Sequence, residues 1–125
     1  MATFSSEFFR QKLTKKNLLV ELEDNEDVFA SIKLAMKNHN IDEVSVELME
    51  GTMKSGKMSV IDRSQFKMLS FNNSEIVNAR GHFKLNYDTL FGSINVLAKI
   101  GKPETGKLEK GNAANGLKIK LAFYE

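Results

Sequence analysis

Apolar and polar residues alternate along most of this chain, and one stretch switches to a helical period. Leu18, Val20 and Leu22 interleave with Leu19, Glu21 and Glu23, the two-residue repeat of a half-buried strand. Asp24-Asn25-Glu26-Asp27 then supplies short oxygen-bearing side chains and carboxylates, which satisfy the free amides and favour the positive end of a helix. Val28, Phe29, Ile32, Ala35 and Met36 fall on one face at helical spacing, so the pattern predicts a helix over 26–38 lying against a sheet. Asn38-His39-Asn40 ends it. Leu34 falls on the opposite face and hints at a contact with another chain.

Val44, Val46 and Leu48 begin a second alternating strand, expected to stop at Glu50-Gly51. Beyond Gly51 the pattern predicts a meander of strands over 57–61, 66–71, 75–80, 82–86, 92–99 and 116–124, with 75–86 open to being continuous. Asn72-Asn73 and Tyr87-Asp88 read as turns, and Gly101 to Gly111 as a tight turn followed by a short strand. Residues 1–16, with Phe4, Phe8 and Phe9, read as a basic lead-in, either a short helix or a first strand; residues 17–125 read as one domain. The expected class is α+β, a largely antiparallel β-sheet packed against one principal α-helix.

The 125 residues suffice for one core without staples. There is no cysteine, which excludes disulfides, thiolate metal sites and cysteine nucleophiles, and fits a cytoplasmic setting. No long apolar run predicts a membrane span, and Met1 to Arg10 has no apolar segment of a secretory signal.

The net charge of +2 hides an asymmetry. Residues 17–51 carry nine acidic groups against Lys33 and Lys37, while residues 99–125 carry six lysines against Glu104, Glu109 and Glu125. Lys99, Lys102, Lys107, Lys110, Lys118 and Lys120 would meet DNA electrostatically and without sequence preference. A solvated face is the simpler reading.

Catalytic chemistry finds little support. His39, at the expected helix end, and His82 have no partners at metal-ligand spacing. The serines occur in no nucleophile-elbow context. Gly101 to Gly111 lacks P-loop spacing and opens no helix. Glu47, opposite Val44, Val46 and Leu48, is the acidic residue placed best for a role.

Three pieces of the chain nevertheless resemble the PPC domain, the plant and prokaryote conserved domain also found in AT-hook proteins. Asn17 to Val28 is similar to the family's opening strand and Gly-Glu-Asp helix start, with Asn25 where glycine is usual and Glu21 where arginine is common. Ile41 to Gly51 and Lys57 to Asp62 resemble its second and third strands. Ile94-Asn95-Val96-Leu97, Gly101, Gly106-Lys107-Leu108 and Gly111-Asn112-Ala113 resemble the signature in which a histidine-bearing strand precedes Gly-Gly-His-Leu.

The resemblance implies a homotrimer with any pocket near the subunit boundary. By the same alignment Asn95 and Lys107 replace the two histidines, so the metal site of some relatives is expected to be missing, and no cofactor is expected. No Arg-Gly-Arg hook is present. The leading expectation is a non-enzymatic interaction or small-ligand-binding module. Asn95, Lys107, Arg80, Glu47 and His82 are candidate lining for a small anionic ligand. The alternatives are a DNA-associated protein using the C-terminal lysines, and an enzyme acting on an anionic small molecule. In the last, Lys107 would be a clamp and Glu47 or His82 a base.

Overall fold

The computed structural model describes residues 13–125. The elements run β1 (Lys15–Leu22), α1 (Val28–Asn38), β2 (Glu43–Asp62), β3 (Gln65–Asn86), β4 (Thr89–Ile100), β5 (Lys102–Ala113) and β6 (Leu117–Tyr124). The sheet order is β1-β6-β2-β3-β4-β5, antiparallel at every pairing, with β2 also paired to β5. The expected α+β class is found. The reading of the lead-in's phenylalanines lies outside the described residues, while Lys15 and Lys16 belong to β1.

The long second strand organises the molecule. One edge of β2 pairs with β3 from Glu43 opposite Lys84 to Asp62 opposite Gln65. Its other edge is divided: Ser45 to Glu50 pair with β6, and Met53 to Ser59 pair with β5. Because β3 continues to β4 and β4 to β5, strands β2, β3, β4 and β5 close on one another, and β6 and β1 extend the sheet from the first half of β2.

Gly51 therefore does not stop a strand. β2 runs through it with φ 129°, and bulges let the ribbon bend. Register shifts between Val46 and Leu48 and between Met53 and Ser55, each with an extra residue in β2, move the inward set from Val44 and Val46 to Met49 and Met53, then to Met58 and Val60, whereas the shift between Lys57 and Met58 has its extra residue, Glu109, in β5. Each extra residue flips the alternation, which is why Met49 rather than Leu48 continues the buried face.

Two turn expectations change. Asn72-Asn73 lies inside β3, where Asn73 (φ 49°) bends the strand while pairing to β2 continues on both sides. The reversal is instead at Arg63 (φ 50°) and Ser64 (φ 65°), a two-residue hairpin loop with both residues left-handed. Tyr87-Asp88 is a turn as expected, closed by Asn86 opposite Thr89. Between 101 and 111 a turn at Gly101 (φ 75°) gives way to a strand longer than expected, because Gly106 and Gly111 are buried strand positions. A Cβ at Gly106 would run into the Ser59 carbonyl oxygen of β2. That glycine permits close strand approach rather than a turn.

Helix α1 starts where the acidic run predicts, with Asp27 as N-cap accepting from the Ala30 amide at 2.9 Å. Val28, Ile32 and Met36 are fully buried, and Phe29 meets Phe83 of β3 edge to face. His39 forms the C-cap, its amide donating to the Ala35 carbonyl.

Candidate functional site

Antiparallel register brings three of the candidate residues into one line. Arg80 of β3 stands opposite Asn95 of β4, and Asn95 opposite Lys107 of β5. Directly paired residues share a face, and all three are exposed. With strands about 4.8 Å apart, Arg80 and Lys107 are separated by about 10 Å of sheet with the amide between them. Lys107 continues the line to Ser59 of β2.

Glu47 adjoins the row at its other end. An Arg80 Nη donates to the Glu47 carbonyl oxygen, while the Glu47 carboxylate accepts from Lys15 Nζ at 2.6 Å. That hydrogen bond holds the Glu47 carboxyl below the usual carboxylate range; desolvation opposes the shift, and the charges of Lys15, Lys120 and Arg80 reinforce it. The Lys15 ammonium is raised by the same bond.

His82 lies two residues beyond Arg80 on the same face of β3. Its Nε2 is 2.8 Å from Glu43 Oε2, and its Nδ1 is 3.4 Å from Ser45 Oγ. Lys107 Nζ contacts Glu109 Oε1 at 3.9 Å. Glu47, His82 and Lys107 thus hold separate partners on three strands.

A groove of about 390 Å³ runs beside the row. Asn95 and Lys107 line it with Ser59, Glu109, Ile61 and Phe66. Ile61 and Phe66 are register partners near the tip of the β2–β3 hairpin and are 72% and 84% exposed. Ser59 Oγ donates to Glu109 Oε1 at 2.9 Å. Ser59, Glu109 and Ile61 escaped the sequence reading; the long pairing of β2 with β5 brings them here.

The remaining lysines do not gather. Lys99 is 3.6 Å from Glu75 and Lys102 is 3.6 Å from Glu104. Lys118 stands between Glu21 and Glu50 in register, Lys120 between Leu19 and Leu48, and Lys110 opposite Lys57.

Residues 10–119 match the family model of the Plants and Prokaryotes Conserved (PCC) domain. The chain belongs to this family. No curated protein matches it. Several solved structures resemble this PCC domain in fold. A metal-containing protein from Archaeoglobus fulgidus aligns with TM-score 0.74 at 17% identity, covering 94% of this chain and 84% of that one. A candidate DNA-binding protein from Ralstonia eutropha aligns with TM-score 0.69 at 16% identity, covering 94% and 85%. A plant- and prokaryote-conserved protein from Pyrococcus horikoshii aligns with TM-score 0.68 at 18% identity, covering 91% and 81%.

The row does not fit a metal ion. An asparagine amide is a weak donor, and cationic Arg80 and Lys107 flank it on neighbouring strands. Among the described residues no three histidine, aspartate or glutamate side chains converge as a ligand set. No helix among them is long and apolar enough to cross a membrane.

Proposed function

We propose that this PCC domain is a non-enzymatic homotrimeric module whose Arg80–Asn95–Lys107 row binds a small anionic ligand beside a subunit boundary. The observation that carries the reading is the row itself, two cations flanking an amide in one register line next to an exposed apolar hairpin. Arginine and lysine give charge-assisted donors to carboxylate or phosphate oxygens, and the amide offers a further donor. Ile61, Phe66 and Met68, all more than half exposed, are the surface a neighbouring copy would cover. Covering them would wall the open side of the groove and strengthen the electrostatics within it.

The test joins assembly to binding. Light scattering is expected to give the mass of three chains or of a multiple of three, and Phe66→Ser with Ile61→Ser to reduce it. Inorganic pyrophosphate is the probe: it should raise the thermal midpoint of the natural chain and not that of Arg80→Ala/Lys107→Ala. A strictly monomeric protein, or an equal shift in the double variant, overturns the reading.

A second reading, binding of duplex DNA through Lys99, Lys102, Lys110, Lys118 and Lys120, draws on the similar structures from Ralstonia eutropha and Bacteroides thetaiotaomicron that carry DNA-binding names. It is weakened by carboxylates beside several of these lysines. It predicts a mobility shift at low ionic strength that fades steeply with salt. Absence of any shift removes it.

A further inference from the structure

Strand β1 ends the sheet, and its hydrogen-bonding pattern shows which backbone groups face outward. Thr14 and Glu125 exchange both amide–carbonyl bonds, at 3.0 and 3.1 Å. In an antiparallel ladder such pairs recur every second residue, so Lys16, Leu18, Val20 and Leu22 direct their N–H and C=O groups at β6. Asn17, Leu19 and Glu21 direct theirs away, toward an edge that no strand occupies among the described residues. Just past Glu21 the edge is closed, because the Glu23 amide donates to Glu26 Oε1 at 2.7 Å and the Glu23 carbonyl accepts from the Glu26 amide.

The edge is short and apolar at its centre. Leu19 is 60% exposed on the outer face of β1, and Leu34 of α1 is 58% exposed on the side that carries the helix. A groove of about 270 Å³ lies between β1 and α1, lined by Leu18, Val20, Leu34 and Ala35. The charges read basic to acidic along the strand, Lys15 and Lys16 at its start and Glu21 and Glu23 at its end. A strand of that polarity complements itself when turned end for end.

We propose that this edge is an interface with a second copy of the chain, formed by antiparallel β1–β1 pairing about a twofold axis through Leu19. In that register Leu19 meets Leu19 of the partner subunit, and Asn17 meets Glu21 of the partner subunit. The outward donors and acceptors of Asn17, Leu19 and Glu21 are then all satisfied. Lys15 comes beside Glu23 of the partner subunit, and like charges are kept apart. The axis is perpendicular to the sheet, so both helices lie on one side, with Leu34 from each chain flanking the seam. The pairing uses no residue of the Arg80–Asn95–Lys107 row and does not depend on a trimer. If both contacts form, six chains assemble.

The experiment is sedimentation velocity and light scattering of the natural chain, Leu19→Lys and Asn17→Pro. Leu19→Lys sets two ammonium groups against each other on the axis, and Asn17→Pro deletes an outward amide without touching the β6 ladder. The expected result is an even-numbered assembly whose mass halves in both variants while the thermal midpoint of the remaining unit is kept. A natural chain that is a monomer or a trimer, or a mass unchanged by Leu19→Lys, overturns the inference. A trimer leaves the ligand reading standing; a dimer that falls to monomers removes the trimer and sustains the β1 interface.

Discussion

Phe29 of α1 meets Phe83 of β3 with ring centroids 5.9 Å apart and planes at 80°. The edge-to-face pair fixes the helix to the sheet, and Phe83 is 1% exposed. Phe83→Ala removes both the contact and the volume, and is expected to cost about 3–5 kcal/mol. Urea unfolding followed by circular dichroism measures it. Phe29→Leu should cost far less, since its position is only half-buried.

Gly106 separates close approach from backbone strain. Its φ is not in the left-handed region, yet a Cβ would strike the Ser59 carbonyl oxygen and sit 2.8 Å from Val60 Cγ1. Gly106→Ala should therefore destabilise by about 1–3 kcal/mol through overpacking. Gly101→Ala meets nothing within 4 Å and suffers only from its φ of 75°, so it should cost about 1 kcal/mol. Denaturant midpoints of the two variants give the comparison.

Asp27 caps α1 through the Ala30 amide. Asp27→Ala should lower stability by about 1 kcal/mol, and Asp27→Asn should recover most of it, because the amide oxygen can still accept. Thermal midpoints at neutral pH check this.

The Lys15–Glu47 pair predicts an acid-side effect of definite sign. The folded-state carboxyl of Glu47 is held below its unfolded value, mainly by the hydrogen bond from Lys15. Its contribution is present above the unfolded carboxylate range and is lost as pH falls through the folded value. Lys15→Met should raise the Glu47 midpoint in a carboxyl NMR titration. An unmoved midpoint would show that Lys15 is not the cause.

Asp88, in the turn between β3 and β4, gives a second case. Lys37 Nζ lies 2.7 Å from Asp88 Oδ1, and that hydrogen bond holds the Asp88 carboxyl low. Lys37→Met should raise its titration midpoint without disturbing that of Glu47. Both carboxylates are solvent-accessible, so 0.5 M salt should shrink both effects.

Where period and chemistry agree locally, the sequence is a good guide. The alternation of Leu117, Ile119, Leu121 and Phe123 describes β6, and the capping run with Val28, Ile32 and Met36 describes α1. Both need only the residue's own neighbours. Leu48 leaves the buried face because a bulge opposite β6 inserts a residue, a feature of pairing rather than of composition. The Arg63-Ser64 reversal is not legible in the sequence, since neither residue announces a left-handed turn, whereas Asn72-Asn73 announces one and merely bends a strand held by β2. The Arg80–Asn95–Lys107 line could not be read by periodicity, because register between strands depends on loop lengths and bulges. The family resemblance points to those positions without placing them side by side.

The sequence by itself determined the class of this protein, one amphipathic helix with many alternating strands and no thiol or imidazole cluster, because burial patterns follow from each element's own period. Only the tertiary structure decided that β2 is one ribbon serving three neighbours, that Gly106 exists for strand approach, and that three distant polar residues share a line. Those facts arise from hydrogen-bond register across the closed sheet, which no single segment encodes.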